Sequence, residues 1–360
     1  MTIRDVLTAT ALYLGFVAVL FVGSVVLPGR IYFGAALADG HRKRYLLNGL
    51  GLLVVVLLIV GMLAAAAPRA LTVPYHLFVP LLLVANIFAF AFSVALYRHG
   101  QRNLPMKAKP GIDDLLRDWF YGVQLNPTWA GVDLKMFSYR PSLIGLLILD
   151  FSFAAAQYER YGHLTGRMML FEIFCTLYVM NYFHFEYGML YTWDIIAERF
   201  GWGLVWGDYV LVPFFYCLPA VFLVDNLAPL PAWAAIGLTL TYVLGFWLFR
   251  GANNQKHRVK LDPAARIWGR PAELLGGRLL ISGFWGIGRK LNYTGELIIY
   301  LSFTLLCGFS SPVPYLLPAW LAGLLVHRAW RDDYRCRAKY GELWETYCRQ
   351  VKFRMVPFIY

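Results

Sequence analysis

From Leu297 to Val326 the chain runs for thirty residues without an Asp, Glu, Lys or Arg. No soluble fold buries so long an uncharged stretch easily, and a helix needs only about 20 apolar residues to cross a bilayer. The Gly308–Pro314 interruption (GFSSPVP) reads as a tight turn between two short spans. Comparable apolar runs lie near 8–28, 46–67, 74–97, 142–158, 170–192, 203–224 and 230–249. Counting both halves of the uncharged stretch (296–310 and 312–327), there are about nine. Lipid offers backbone groups no partners, so these segments must be helices or a closed barrel, and their length selects helices. The expectation is an all-α, polytopic membrane protein with about nine to ten transmembrane helices. A tenth segment could lie within 111–140 or 262–290. The chain is expected to form one integral membrane domain over 1–360. Its N-terminal helices would occupy 1–140, the central pocket helices 141–250, and a C-terminal cofactor-binding half 251–360.

Composition agrees. Charged residues make up 15% and hydrophobic residues 59%, with a mean hydropathy of +0.54, whereas soluble chains carry about 25% charged residues. This excludes a disordered chain, a coiled coil and a disulfide scaffold. The five cysteines form no CxxC, so neither a zinc site nor any other metal is expected. The first apolar run is too long for a cleaved leader and has no small-residue cleavage site after it. A net charge of +12 could speak for nucleic acid, but the charges sit between apolar runs and no nucleic acid is expected. Of the 33 Lys and Arg, 29 fall in alternate connections. The positive-inside rule places those connections in the cytoplasm. They include the long polar regions 98–141, 250–295 and 328–360, where an anionic ligand would bind. The lipid bilayer itself is the surrounding partner.

Four constellations could carry chemistry. The segment His327–Gly341, taken as a helix continuing from the last span, puts Arg328, Asp332, Arg335, Cys336 and Lys339 on one face. Tyr340, Trp344 and Tyr347 follow. Cations, one acid and aromatics suit a phosphorylated, ring-bearing ligand, although a juxtamembrane helix on anionic lipid has the same look. Gly251–Lys260 and Ser282–Glu296 flank the next polar region. The Gly-x-x-Gly-x-Gly run in the latter follows no strand and is not a Rossmann fingerprint. Finally, Asp150, Glu172, Glu186, Asp194, Asp208 and Glu296 lie within or at the ends of spans, near Tyr182, His184, Tyr187 and Tyr191. Intramembrane acids are costly and usually face a cavity or a partner.

At this point the residues resemble the NADPH-dependent sterol reductases, the family that includes the membrane domain of lamin B receptor. The resemblance runs through Leu27-Pro-Gly29, Asp39-Gly40, Asn48-Gly49, Phe120–Pro127, Asp133-Leu-Lys135, Arg140-Pro141, Asn254-Gln-Lys256, Asn292–Glu296, 327–341 and Pro357–Tyr360. Ser152–Gln157, Phe200–Asp208, Ile267–Pro271 and Leu279–Gly286 look most like the 7-dehydrocholesterol reductase branch. The resemblance implies reduction of a sterol ring double bond in sterol biosynthesis, at Δ7, with Δ14 or side-chain reduction as the alternative within the family. It implies NADPH as cofactor, held by Lys256, Lys260, Leu280, Trp285, Asn292, Tyr293, Arg328, Asp332, Cys336, Lys339, Tyr340 and Tyr347. The family has Arg where this chain has Lys260, and Arg258 could compensate. Gln124 and Thr128 replace a family Glu and Arg. The implied setting is a bacterial inner membrane or the endoplasmic reticulum, with the cofactor site cytoplasmic. Two other classes fit parts of the sequence. The motif Lys339-Tyr-Gly-x-x-Trp-x-x-Tyr347 is also similar to S-adenosylmethionine-dependent isoprenylcysteine methyltransferases, and a non-catalytic sterol-binding protein would share the spans.

An electron-rich C=C must be protonated before a hydride can add, and the acid must be kept from water. Glu186 and Asp194, with Tyr182, Tyr187 and Tyr191, are the expected proton source or its immediate support.

Overall fold

The computed structural model describes residues 1–36, 40–102 and 112–359. Asp39 and Tyr360, each part of a motif above, lie outside the described residues. The chain divides into two compact units, Met1–Leu227 and Ala228–Tyr360. The sequence-based divisions at 140 and 250 both fall inside long helices. Among the described residues, six helices are long and apolar enough to cross a membrane.

In the first unit, α1 (Ile3–Val26) opens on a capping box in which Thr2 and Asp5 exchange hydrogen bonds. A hairpin of β1 (Arg30–Ala36) and β2 (Arg42–Leu47) follows, antiparallel from Arg30 opposite Leu47. Asn48 then ties the start of α2 (Gly49–Ala66) to the end of α1, its amide donating to the carbonyls of Ser24 (3.1 Å) and Leu27 (2.8 Å). After α3 (Phe78–Arg102), the stretch 112–140 holds no further span. It forms the ten-residue helix α4 (Ile112–Tyr121) and a small hairpin of β3 (Thr128–Trp129) and β4 (Val132–Asp133). Its Asp, Arg and Lys residues are too frequent for lipid. Ala130 (φ 49°) and Gly131 (φ 78°) make the two-residue turn of that hairpin, where both central positions need positive φ.

Helix α5 (Leu134–Tyr161) is the buried centre of this unit. Asp133 caps it by accepting from the Met136 N–H at 2.9 Å. Its first turns bury Lys135, Ser138 and Arg140, so the helix starts well before the apolar run that marks it in the sequence. Thr165 caps α6 (Gly166–His184). The run 203–224 is a broken helix, α7 (Trp202–Leu223), with a π-turn at Gly207–Leu211.

In the second unit, α8 (Ala232–Leu261) carries its apolar half into the polar residues of the 250–260 segment. Residues 262–290 contain two hairpins, β5–β6 (Arg266–Ile267 with Arg270–Pro271) and β7–β8 (Leu274–Leu275 with Leu279–Leu280), and no span. Then come α9 (Leu291–Leu305), α10 (Leu316–Tyr340) and α11 (Glu342–Gln350). Helix α9 has 15 residues, about 22 Å at 1.5 Å per residue, and is short for a span. Helix α10 is apolar only in its first half. Helices α8 and α9 pack with backbone close to backbone. A Cβ on Gly295 would lie 2.5 Å from the Phe249 nitrogen and 2.6 Å from the Gly245 carbonyl oxygen. Small residues at such crossings let membrane helices approach.

Candidate active site

The cofactor residues named from sequence all lie in the second unit, in one connected neighbourhood. The Lys256 ammonium sits 4.3 Å from the Trp285 ring centroid, and the Trp285 indole donates to the Ala252 carbonyl at 2.8 Å. One helical turn of α8 therefore presents the cation and fixes the ring under it. Tyr347 reaches from α11 to donate to the Trp285 carbonyl at 3.1 Å. Trp285 and Leu280 share an apolar cluster with Ala252, Phe284 and Leu291. Tyr347 shares another with Trp344, Tyr340 and Cys336. Gln255 accepts from the Phe284 N–H at 2.9 Å, holding the Gly283–Ile287 turn against α8. Gly283 has a φ of 62°, and a Cβ there would lie 2.4 Å from the Gln255 oxygen.

Helix α10 continues as the sequence predicts. Arg328, Asp332, Arg335 and Cys336 are half-buried and Lys339 is exposed. Gly341 (φ 53°) then breaks the helix so that α11 returns Trp344 and Tyr347 to the same neighbourhood. Lys260 experiences the charges of Lys339 and Arg335, and Tyr293 those of Lys290 and Arg328. Lys339 lies 5.1 Å from the Tyr340 ring centroid. Asn292 donates to Asn253 at 3.3 Å, while its own amide oxygen is buried with no partner among the described residues.

Sequence reasoning missed Lys290. It is buried and forms an ion pair and hydrogen bond with Asp332. Burial alone would raise the pKa of Asp332, but Lys290 beside it, with Lys256 behind, holds the carboxyl below the usual carboxylate range. Burial alone would lower the pKa of Lys290, and Asp332 outweighs it and raises the value. Arg289 was missed as well. It donates to the Val351 carbonyl at 2.7 Å, and its backbone N–H donates to the Phe353 carbonyl at 3.0 Å. Both residues fall in the Ser282–Glu296 constellation, where adjacent Arg and Lys at the edge of an apolar helix are the legible sign. Burial, then Asp332, push the Cys336 thiol up, so it remains a neutral thiol.

The residues expected to supply a proton lie in the first unit. Glu186 is buried. It accepts from Arg140 at 3.1 Å and from the Gly49 N–H at 3.0 Å, so both carboxylate oxygens serve structural partners. Asp194 accepts from the Tyr139 hydroxyl at 3.2 Å, and its carbonyl receives Lys135, which also donates to the Glu198 carbonyl at 2.6 Å. Tyr182 and Tyr187 pack against a cluster of Tyr45, Leu47, Met136, Met189, Leu190 and Ile195. Tyr191 is more exposed. Asp150 and Glu172 are oriented inward between α5 and α6, near Cys175. Asp208 is buried on the π-turn of α7. A separate apolar cavity of about 210 Å³ in the same unit is lined by Leu12, Tyr13, Phe16, Leu81, Pro141 and Phe214, among others.

A family model described as the ergosterol biosynthesis ERG4/ERG24 family matches residues 4–360. The chain belongs to this family. It is 41% identical over 344 residues to a Delta(14)-sterol reductase of Arabidopsis thaliana, covering 95% of this chain and 93% of the relative. It is 41% identical over 355 residues to a Delta(14)-sterol reductase of Methylotuvimicrobium alcaliphilum, covering 96% and 83%. To a 7-dehydrocholesterol reductase of Xenopus laevis it is 34% identical over 302 residues, covering 78% and 63%. The sterol reductase family are oxidoreductases acting on C=C bonds, and this member is a multi-pass membrane enzyme with six helices of spanning length among the described residues.

Proposed function

We infer that this reductase uses NADPH to saturate the Δ14 double bond of a sterol. One observation carries the cofactor reading: Lys256 over Trp285, with Lys290–Asp332, Tyr293, Arg328 and Lys339 in the same neighbourhood of one unit. Lys256, Lys260, Arg328 and Lys339 suit the phosphates, with Lys260 acting as a point charge rather than a fork. Trp285, Tyr293 and Tyr340 offer faces to the rings. The buried amide oxygen of Asn292 suits a carboxamide N–H. Bound NADPH would supply the hydride. The charges lie in connections that the positive-inside rule puts in the cytoplasm, where a soluble cofactor is at hand; the same side would serve in the endoplasmic reticulum or a bacterial inner membrane.

This chain's own task in the chemistry is the proton. Asp194 is the better-placed acid, because Glu186 is committed to Arg140 and Gly49, and Glu186 would act by holding that framework. Tyr182 and Tyr191 are the alternative hydroxyl donors. Apolar surroundings keep water from a carbocation.

The choice of Δ14 over Δ7 is supported by the higher identity and coverage of the relatives named Delta(14)-sterol reductase. The second reading, Δ7, is supported by the Phe200–Asp208 and Leu279–Gly286 stretches. Purified enzyme given NADPH and either an 8,14-diene sterol or 7-dehydrocholesterol, with products identified by mass, separates the two. Saturation of C14 is expected. Conversion of 7-dehydrocholesterol alone transfers the assignment to Δ7, and S-adenosylmethionine turnover without NADPH oxidation removes both.

A further inference from the structure

Beside the β1–β2 hairpin of the first unit lies a polar cavity that the reduction chemistry does not use. It measures about 130 Å³, and Arg44, Tyr45, Gly131, Asp133, Arg140 and Ser24 contribute to its wall. The end of α1, strand β2, the β3–β4 turn and the first turns of α5 enclose it. Two arginines face this space from different elements. Arg140 is only 3% exposed, and its Nε is buried with no hydrogen-bond partner among the described residues. Its Nη2 spans Glu186 and the Leu46 carbonyl. Arg44, on β2, is exposed and forms no ion pair among the described residues.

The acid in the wall does not repel an anion. Asp133 is paired with Lys43 at 2.6 Å, and it spends its other oxygen on capping α5. Glu186, behind Arg140, answers one of the two guanidinium charges. Lys43, Arg44 and Arg140 against Asp133 and Glu186 leave an excess of one positive charge, to which the hairpin adds Arg30 and Arg42. A buried guanidinium N–H without an acceptor costs free energy that a bound oxyanion recovers. The cavity also sits where α1 leaves its apolar run, at the depth of lipid headgroups and on the side carrying most of the Lys and Arg.

We propose that this cavity is a phosphate-binding site, filled by the headgroup phosphate of an anionic phospholipid and held by Arg44 and Arg140. A lipid there would pin the hairpin and the start of α5, and so the Arg140–Glu186 pair beneath. The reading is independent of which sterol bond is reduced.

The test uses the full chain in nanodiscs. Wild type, Arg44→Gln and, as a surface control, Arg270→Gln are placed in phosphatidylcholine alone or with phosphatidylglycerol. Lipid retained by the released protein is counted by native mass spectrometry, and Tm is recorded with and without inorganic phosphate. Arg44 is exposed, so its replacement leaves the fold intact. One retained phosphatidylglycerol is expected in wild type and Arg270→Gln, with affinity falling about ten-fold in Arg44→Gln. Stabilisation by inorganic phosphate in phosphatidylcholine, lost in Arg44→Gln, with no retained lipid, supports the phosphate site and overturns the lipid as occupant. Equal lipid retention and equal phosphate response in all three proteins overturn the site.

Discussion

Lys290 and Asp332 show how one residue pair sets the pH behaviour of the second unit. Asp332 is held below its ordinary value, so its contribution is present above about pH 4 and is lost as pH falls through the lowered value. Lys290 is raised, so its contribution is complete below about pH 10.4 and is lost as pH climbs through the raised value. Thermal scans of detergent-solubilised protein across both flanks should show stability declining at each end, with Asp332→Asn flattening the acid flank. Lys339 is exposed and lies over the half-buried Tyr340 ring. Lys339→Ala should weaken NADPH binding about ten-fold with little change in Tm, as a fluorescence titration would read. In the first unit, Glu186→Gln leaves the Arg140 charge buried and unpaired. A loss of about 3–5 kcal/mol is expected for such a change, with turnover per folded molecule retained. Asp194→Asn should instead lose turnover by about 100-fold or more at near-normal stability. Full turnover in Asp194→Asn would pass the proton to Tyr182 or Tyr191.

At the scale of elements, the α8–α9 crossing sets Asn292 against Asn253, three residues before Lys256 on α8. Gly245 and Gly295 face each other there, and a Cβ on Gly245 would meet the Gly295 carbonyl oxygen at 3.0 Å. Gly295→Val must push the helices apart, at a cost of about 1–3 kcal/mol, and should weaken NADPH binding along with stability. Gly237→Ala, on the same helix α8 with open space around it, is the control that should leave cofactor affinity unchanged and lower stability in no case, since Ala favours a helix interior over Gly. If Gly295→Val keeps full cofactor affinity, the crossing does not set the site.

At the scale of the molecule, polar contacts respect the alternation of charge. Within the first unit, Lys43 pairs with Asp133, and Lys135 binds the Asp194 and Glu198 carbonyls. These join the first, third and fifth connections. His76 meets Glu159, and Arg160 meets Asp225 at 2.6 Å, joining the second, fourth and sixth. Within the second unit, Arg289 and Lys290 bind the C-terminal segment. Each of these contacts stays within one set. Within the first unit, the positive-inside rule predicts thiol labelling of Arg42→Cys from the cytoplasmic face and of His163→Cys from the opposite face. Labelling of both from one face would overturn the assigned topology.

The apolar runs in the chain of letters determined the all-α, membrane-spanning class and the continuing helix that bears Arg328 to Lys339, because lipid selects residues one at a time by their free energy of transfer; against the nine to ten spans expected, six helices of spanning length stand among the described residues. The family motifs marked out Lys256, Asn292 and Asp332 for the same site. The hairpin at 30–47 was not legible, since its Arg- and Lys-bearing strands read as a charged connection between two spans, and the two-residue strands between 266 and 280 leave no period to read. Nor was the partnership of Lys290 with Asp332, or the commitment of Glu186 to Arg140. An acid near an apolar run looks the same whether it donates a proton or anchors an arginine. Only folding brings residues 46 or 42 positions apart within hydrogen-bond reach, and that contact, not the residue type, decides which it does.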